Sequence, residues 1–227
     1  MNKFKEVFQF LVQYGGTGFI SDAKKKNYDE ERYNNITNLK VIAYDECWKN
    51  LFSQISPYLK DRDKKQLYKI QSWKNRNKIC NYFSIQIKDT EKLNHGSSIS
   101  ILVGKEGIYV NVEYEYTSKK IINTVENHNK YIFSLDKWKE IYNVRLDKYY
   151  LNYEDEFGDQ RISLNNFMEH HELRTSLEEK IKNNKNIRIA IQKEFDKDYV
   201  LSSNNFELEI AQSINELNFL YEKSTEK

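Results

Sequence analysis

Apolar side chains recur at helical spacing at the start of the chain, where Phe4, Val7, Phe8, Leu11 and Val12 share one face of a segment that stops at Gly15-Gly16. The spacing predicts an amphipathic helix over residues 4–14. The next stretch, "SDAKKKNYDEERYNN", carries no apolar stripe and reads as a solvated helix or a loop. A second helix is expected over about 39–56, because Tyr44, Trp48, Leu51, Phe52 and Ile55 align and the single proline, Pro57, closes it. "KDRDKKQLYKIQSWKNRNK", residues 60–78, reads as a short helix followed by a loop.

From residue 80 the period changes to two. Phe83, Ile85 and Ile87 alternate with Ser84, Gln86 and Lys88, and Ile99, Ile101 and Val103 alternate with Ser98, Ser100 and Leu102. Ile108, Val110, Val112, Tyr114 and Tyr116 continue the pattern beyond the hairpin turn Gly104-Lys105-Glu106-Gly107. A further strand is expected at Tyr131–Ser134, a short helix in "LDKWKEIYNVR", a helix over 163–183 and a short strand at Ile187, Ile189 and Ile191. The last helix, over 204–222, opens on Asn204 with Glu207 three residues on, a capping-box spacing, and residues after Glu222 are expected to fray. The fold class is therefore α+β: an antiparallel meander over 80–117 plus later strands, with helices packed mainly on one face. One domain is expected over 1–227, with a helical part at 1–60, a sheet-containing core at 80–192 and the closing helix at 204–222.

Composition narrows the function classes. With 39% hydrophobic and 14% aromatic residues the chain can fill a core, and a net charge of +2 gives no global field for polyanions, so any nucleic-acid surface must be local. No apolar run approaches membrane-spanning length, and no membrane partner is expected. Cys47 and Cys80 are too few for a zinc site, and in a chain without a secretory signal they read as reduced thiols of a cytoplasmic protein.

Four constellations bear on chemistry. Gly15-Gly16-Thr17-Gly18-Phe19-Ile20 resembles the phosphate-binding turn of extended short-chain dehydrogenases, but a helix precedes it, Ser21 replaces the last glycine and lysines follow. It reads as a helix stop and flexible joint, with no dinucleotide partner expected. Glu113 and Glu115 share a strand face behind Glu106 in the hairpin turn, an acid pattern that suits Mg²⁺ in some nucleases and otherwise marks a solvated strand face. The four histidines have no ligand spacing, with His95 and His128 in polar stretches, so neither metal nor cofactor is expected. Basic residues with interleaved aromatics remain: Lys24, Lys25 and Lys26, then Lys64, Lys65, Lys69, Trp73, Lys74, Arg76 and Lys78, in which cations would neutralise phosphates and aromatics stack on bases.

The stretch "IRIAIQKEFDKDYVLSSNNFELEIAQSINELNFLYEK", residues 187–223, resembles the C-terminal part of the N-terminal DNA-recognition domains of McrB-type restriction systems. The resemblance implies an α+β reader of modified DNA without catalysis, acting in bacterial antiviral defence. The leading expectation is thus a non-enzymatic DNA-binding module. The alternatives are an Mg²⁺-dependent nuclease using Glu106, Glu113 and Glu115, and a protein–protein interaction module whose ligand is a partner protein.

Overall fold

The structure is a computed structural model that describes residues 4–19, 29–115, 121–155, 158–184 and 186–226. It opens with α1 (Phe4–Tyr14), which buries Phe4, Val7, Phe8, Phe10 and Leu11 and leaves Val12 half exposed. Helix α1 therefore turns Phe10, not Val12, toward the core. It ends on Gly15, whose N–H bonds Leu11 O, and Gly16, at φ 79°. A Cβ on Gly15 would lie 2.5 Å from Leu11 O, so the close chain approach requires glycine there.

After α2 (Glu30–Lys40) the chain stays helical but changes winding, with a π-helical turn over Val41–Cys47, a 3₁₀ turn over Trp48–Asn50 and then α3 (Leu51–Ile55). The expected helix at 39–56 is thus part of a longer, interrupted helical run that begins at Glu30. The π-turn shifts the phase of the apolar stripe while keeping Tyr44, Trp48, Leu51 and Ile55 inward.

Residues 60–78 correct the expectation of a helix. They form β1 (Lys65–Ile70) and the first strand of a small hairpin, β2 (Lys74–Asn75) with β3 (Lys78–Ile79). In β1 a bulge between Leu67 and Lys69 removes one residue from the ladder, so Leu67 and Ile70 both reach the apolar face, opposite Ile87 and Ile85. Their spacing of three mimics a helix although the backbone is extended.

The meander follows as β4 (Phe83–Asp89), β5 (Ser97–Val103) and β6 (Gly107–Tyr114). Residue 116, the last of the expected run, lies outside the described residues. Tyr131–Ser134, expected as a strand, belongs to a 3₁₀ turn between α4 (Val125–Asn129) and α5 (Leu135–Tyr142), where adjacent Tyr131 and Ile132 are both buried. A hairpin that the sequence reading missed comes next, β7 (Tyr149–Asp155) and β8 (Gly158–Ser163). The expected helix at 163–183 is α6 (Leu164–Glu169) and α7 (His171–Asn183), broken at His170.

Strand β9 (Ile189–Asp196) is longer than expected and central, because it pairs with both β6 and β7. The resulting antiparallel sheet has the order β1-β4-β5-β6-β9-β7-β8. The chain closes with α8 (Lys197–Ser202), capped by Asp196, and α9 (Phe206–Thr225). No side chain caps α9, so the expected box at Asn204 and Glu207 does not form. Nor does the helix fray after Glu222: Ser224 and Thr225 are buried, and Ser224 O accepts from Ser97 and Asn123.

Register separates the two faces of the sheet. Ile85, Ile101 and Val110 lie in one row, and Ile87, Ile99, Val112 and Ile191 in the next. Helical elements cover this side: Phe83 meets Phe10, Tyr44 and Trp48, Phe195 meets Phe206, and Glu216 of α9 accepts from Tyr149 and Lys193. One apolar cluster runs from Phe4 to Tyr221, which unites the helical N-terminal part with the sheet. Among the described residues no helix is long and apolar enough to cross a membrane.

Candidate functional site

The expected basic residues separate into three groups. Lys24, Lys25 and Lys26 lie outside the described residues. Lys65 is buried and donates to Asp89 and Asn218, with its ammonium 4.9 Å from the Tyr221 ring centre. Lys69 pairs with Glu115 at 2.6 Å. These two correct the expectation of a continuous basic face, because a paired cation releases little additional energy on meeting a phosphate. Trp73 is corrected as well: its ring packs against Phe10 and Phe19, and Lys40 and Lys74 lie over it at 5.7 and 5.4 Å, so it is not an open platform for a base.

Lys64, Lys74, Arg76 and Lys78 remain, the last three on the β2–β3 hairpin. Arg76 and Lys78 are exposed, Lys74 is half-buried, and among the described residues none of the three hairpin cations lies within ion-pair distance of an acid. The hairpin is held firmly. Lys74 pairs with Ile79, Asn75 pairs with Lys78, and Cys80 N bonds Trp73 O. Gly16 N donates to Ile79 O, Ile79 N to Thr17 O and Phe19 N to Asn77 O. Residues 15–19 are therefore a brace on the hairpin, which corrects the flexible-joint expectation for this part; residues 20–28 lie outside the described residues. Arg76 occupies the two-residue tip at φ 53°, a left-handed conformation that glycine adopts far more readily.

The second face of the sheet carries polar side chains in register. Gln86, Ser100, Asn111 and Gln192 form one row, and Ser98 and Glu113 the next. Alternation marked these positions in the sequence as a solvated face, yet Gln86, Lys88, Ser98, Ser100 and Asn111 are buried. Buried polar atoms ordinarily find partners. Here Gln86 Oε1, Ser98 Oγ, Ser100 Oγ and Asn111 Oδ1 make no hydrogen bond of ordinary geometry.

Between β1, β4 and β6 this face holds a cavity of about 310 Å³ lined by Lys69, Tyr82, Ser84, Gln86, Glu113 and Glu115, among others. Glu113 retains partial solvent access, but the dense protein around its carboxyl dominates. Burial pushes it above the usual value, assisted by the nearby Glu115 charge and opposed by Ser100, Gln86 and Asn111. Burial also raises Glu115, but hydrogen bonds from Lys69 and Gln86 and the charges of Lys69 and Lys88 outweigh it, and its carboxyl titrates below the ordinary range. Lys88 is lowered to about 8 by burial. Its ammonium points away, donating to His95 O and lying 4.0 Å from the Tyr68 ring centre.

Glu113 and Glu115 do meet at the cavity, whereas Glu106 sits in the β5–β6 turn at the other end of β6. At about 3.3 Å per residue, Glu106 and Glu113 are roughly 20 Å apart, so the three cannot share one ion. Among the described residues no cluster of three His, Cys, Asp or Glu could hold a metal ion. His128, expected in a polar loop, is fully buried in α4 between Ser97 Oγ and Ile189 O, each at 2.9 Å.

A model described only as a protein family matches residues 18–224, a span that takes in the hairpin, the whole sheet and α9. No curated protein matches the chain.

Proposed function

The chain belongs to this family over residues 18–224, and since the family's description assigns no activity we propose from geometry that it is a non-enzymatic nucleic-acid-binding module whose β2–β3 hairpin contacts the phosphate backbone. The observation that carries this reading is the trio Lys74, Arg76 and Lys78 on one braced hairpin, without acidic partners among the described residues. Rigid presentation lowers the ordering cost of binding, and cations without an acidic partner among the described residues, Lys74 resting on the Phe19 and Trp73 rings, remain attracted to phosphates. Arg76 in a left-handed conformation adds support, because a strained residue at an exposed tip is consistent with selection for its side chain. The resemblance of residues 187–223 to McrB-type recognition domains favours duplex DNA, and a restriction or defence setting.

Gel-shift titration of a duplex at several salt concentrations tests the reading. Three phosphate contacts give a slope of log K against log salt near −2.7, about a 40-fold loss between 50 and 200 mM salt. Absence of binding to single-stranded, duplex and methylated DNA at low salt would overturn it.

A further inference from the structure

The sheet ends in two edge strands that differ in kind. At one end β1 carries a bulge between Leu67 and Lys69, which spoils an edge as a template for further pairing. At the other end β8 runs over Gly158–Ser163 with no bulge and no proline, each residue in register with β7. Asp155 and Gly158 are partners only three residues apart, so they must exchange their own N–H···O bonds. Gly104 N donates to Gly107 O across the β5–β6 turn by the same rule. Alternation then turns the backbone groups of Gly158, Gln160 and Ile162 onto β7 and those of Asp159 and Arg161 outward. Among the described residues no other strand or loop bonds these outward groups. On the apolar face Ile162, and Met168 of the adjoining α6, are only half-buried against the core, so the apolar layer is incompletely covered at this edge. Charge alternates along the strand as well. Asp159 stands opposite Glu154 and, among the described residues, makes no ion pair. Arg161, on the same face, bonds Glu194 through one Nη and lies 3.9 Å from the Tyr150 ring centre, which leaves several of its five N–H donors uncommitted.

We propose that β8 pairs antiparallel with the β8 strand of a second copy of this chain, about a two-fold axis through Gln160, joining the two sheets into one. Asp159 and Arg161 of the partner subunit then exchange both backbone hydrogen bonds, and the symmetric pair does the same. The acid of each strand faces the base of the other. Because the outward groups belong to Asp159 and Arg161, the neighbouring registers would set Asp159 against Asp159 or Arg161 against Arg161, and like charges directly opposite are unfavourable. On the apolar face Ile162 meets Gly158 of the partner subunit, where no side chain obstructs it. The seam leaves the phosphate-binding hairpin out, and either assignment can fail without the other.

The test is sedimentation equilibrium of the full chain, without DNA, over a series of concentrations. The expected result is a monomer–dimer equilibrium with a Kd of about 10–100 μM. Asp159→Arg sets arginine against arginine across the seam and weakens the dimer about tenfold or more, whereas Asp159→Arg combined with Arg161→Asp restores affinity to within about threefold. Both side chains are exposed, so the unfolding midpoint stays nearly unchanged. Gln160→Cys, in a Cys80→Ser background, gives a covalent dimer with oxidised glutathione, because a non-hydrogen-bonded pair brings Cα atoms to about 4.5 Å, within disulfide reach. The proposal is overturned if the chain is monomeric at about 500 μM, if Asp159→Arg dimerises as well as the native chain, if the double substitution fails to restore the dimer, or if Gln160→Cys does not cross-link.

Discussion

Lys65 and Lys78 come from the same basic stretch, yet the fold gives them opposite fates. Lys65 enters β1 facing the helix-covered side, where Asp89, Asn218 and the Tyr221 ring enclose it. Lys78 lies on the small hairpin, exposed and without an acidic partner among the described residues. One positive charge is thus structural and the other is available to a ligand. Net charge along a sequence cannot separate the two, because the difference arises from tertiary pairing: Lys65 sits opposite Asp89 in β1, whereas Lys78 belongs to the separate β2–β3 hairpin.

The contrast is sharpest in its energetic consequences. Lys65→Met leaves Asp89 with only the longer contact to Lys92, at 3.7 Å, and denaturant unfolding is expected to show a loss of about 3 kcal/mol, the low end of the cost of breaking a buried pair. Lys78→Ala is expected to change stability by less than about 0.5 kcal/mol. Equal effects would mean that the two lysines do not differ in this way.

A second buried polar group extends the comparison to pH. Burial lowers His128 from 6.5 to about 4, opposed by its bond to Ile189 O. The neutral ring is favoured in the fold, so its contribution is fully present above pH 6.5 and is lost as pH falls from 6.5 toward 4. That loss amounts to about 3 kcal/mol. His128→Gln removes this acid sensitivity over the same window, checked by thermal melts at pH 7 and pH 4.5. An unchanged pH profile in the variant would remove His128 from the account.

The hairpin tip yields a smaller effect of opposite sign. Arg76→Gly relieves the left-handed conformation and is expected to stabilise the protein by about 1 kcal/mol while weakening DNA binding. A variant that is stabilised and binds DNA as well as before would make Arg76 a turn residue only.

The sequence disclosed most of what periodicity can carry. The alternation at 83–88, 98–103 and 108–114 located the meander, and the Phe4–Leu11 stripe located the first helix. It failed where one residue shifts the phase: the bulge in β1 made an extended segment look helical, and the π-turn divided what looked like one helix. Tyr149, Leu151 and Tyr153 did alternate, but the signal was short and β7 went unread. Of the candidate site, Lys74, Arg76 and Lys78 were legible as cations, but that no acid among the described residues pairs with them was not. Gln86, Ser98, Ser100 and Asn111 were legible as a polar strand face, whereas their burial depends on the packing of neighbouring strands.

The most direct measurement is the salt dependence of duplex DNA binding for the native chain beside Lys74→Ala, Arg76→Ala and Lys78→Ala variants. Each substitution is expected to reduce the slope of log K against log salt by about 1, with the unfolding midpoint nearly unchanged. A slope that is the same in all four proteins, or a native chain that does not bind, would contradict the assignment of the hairpin as the phosphate contact.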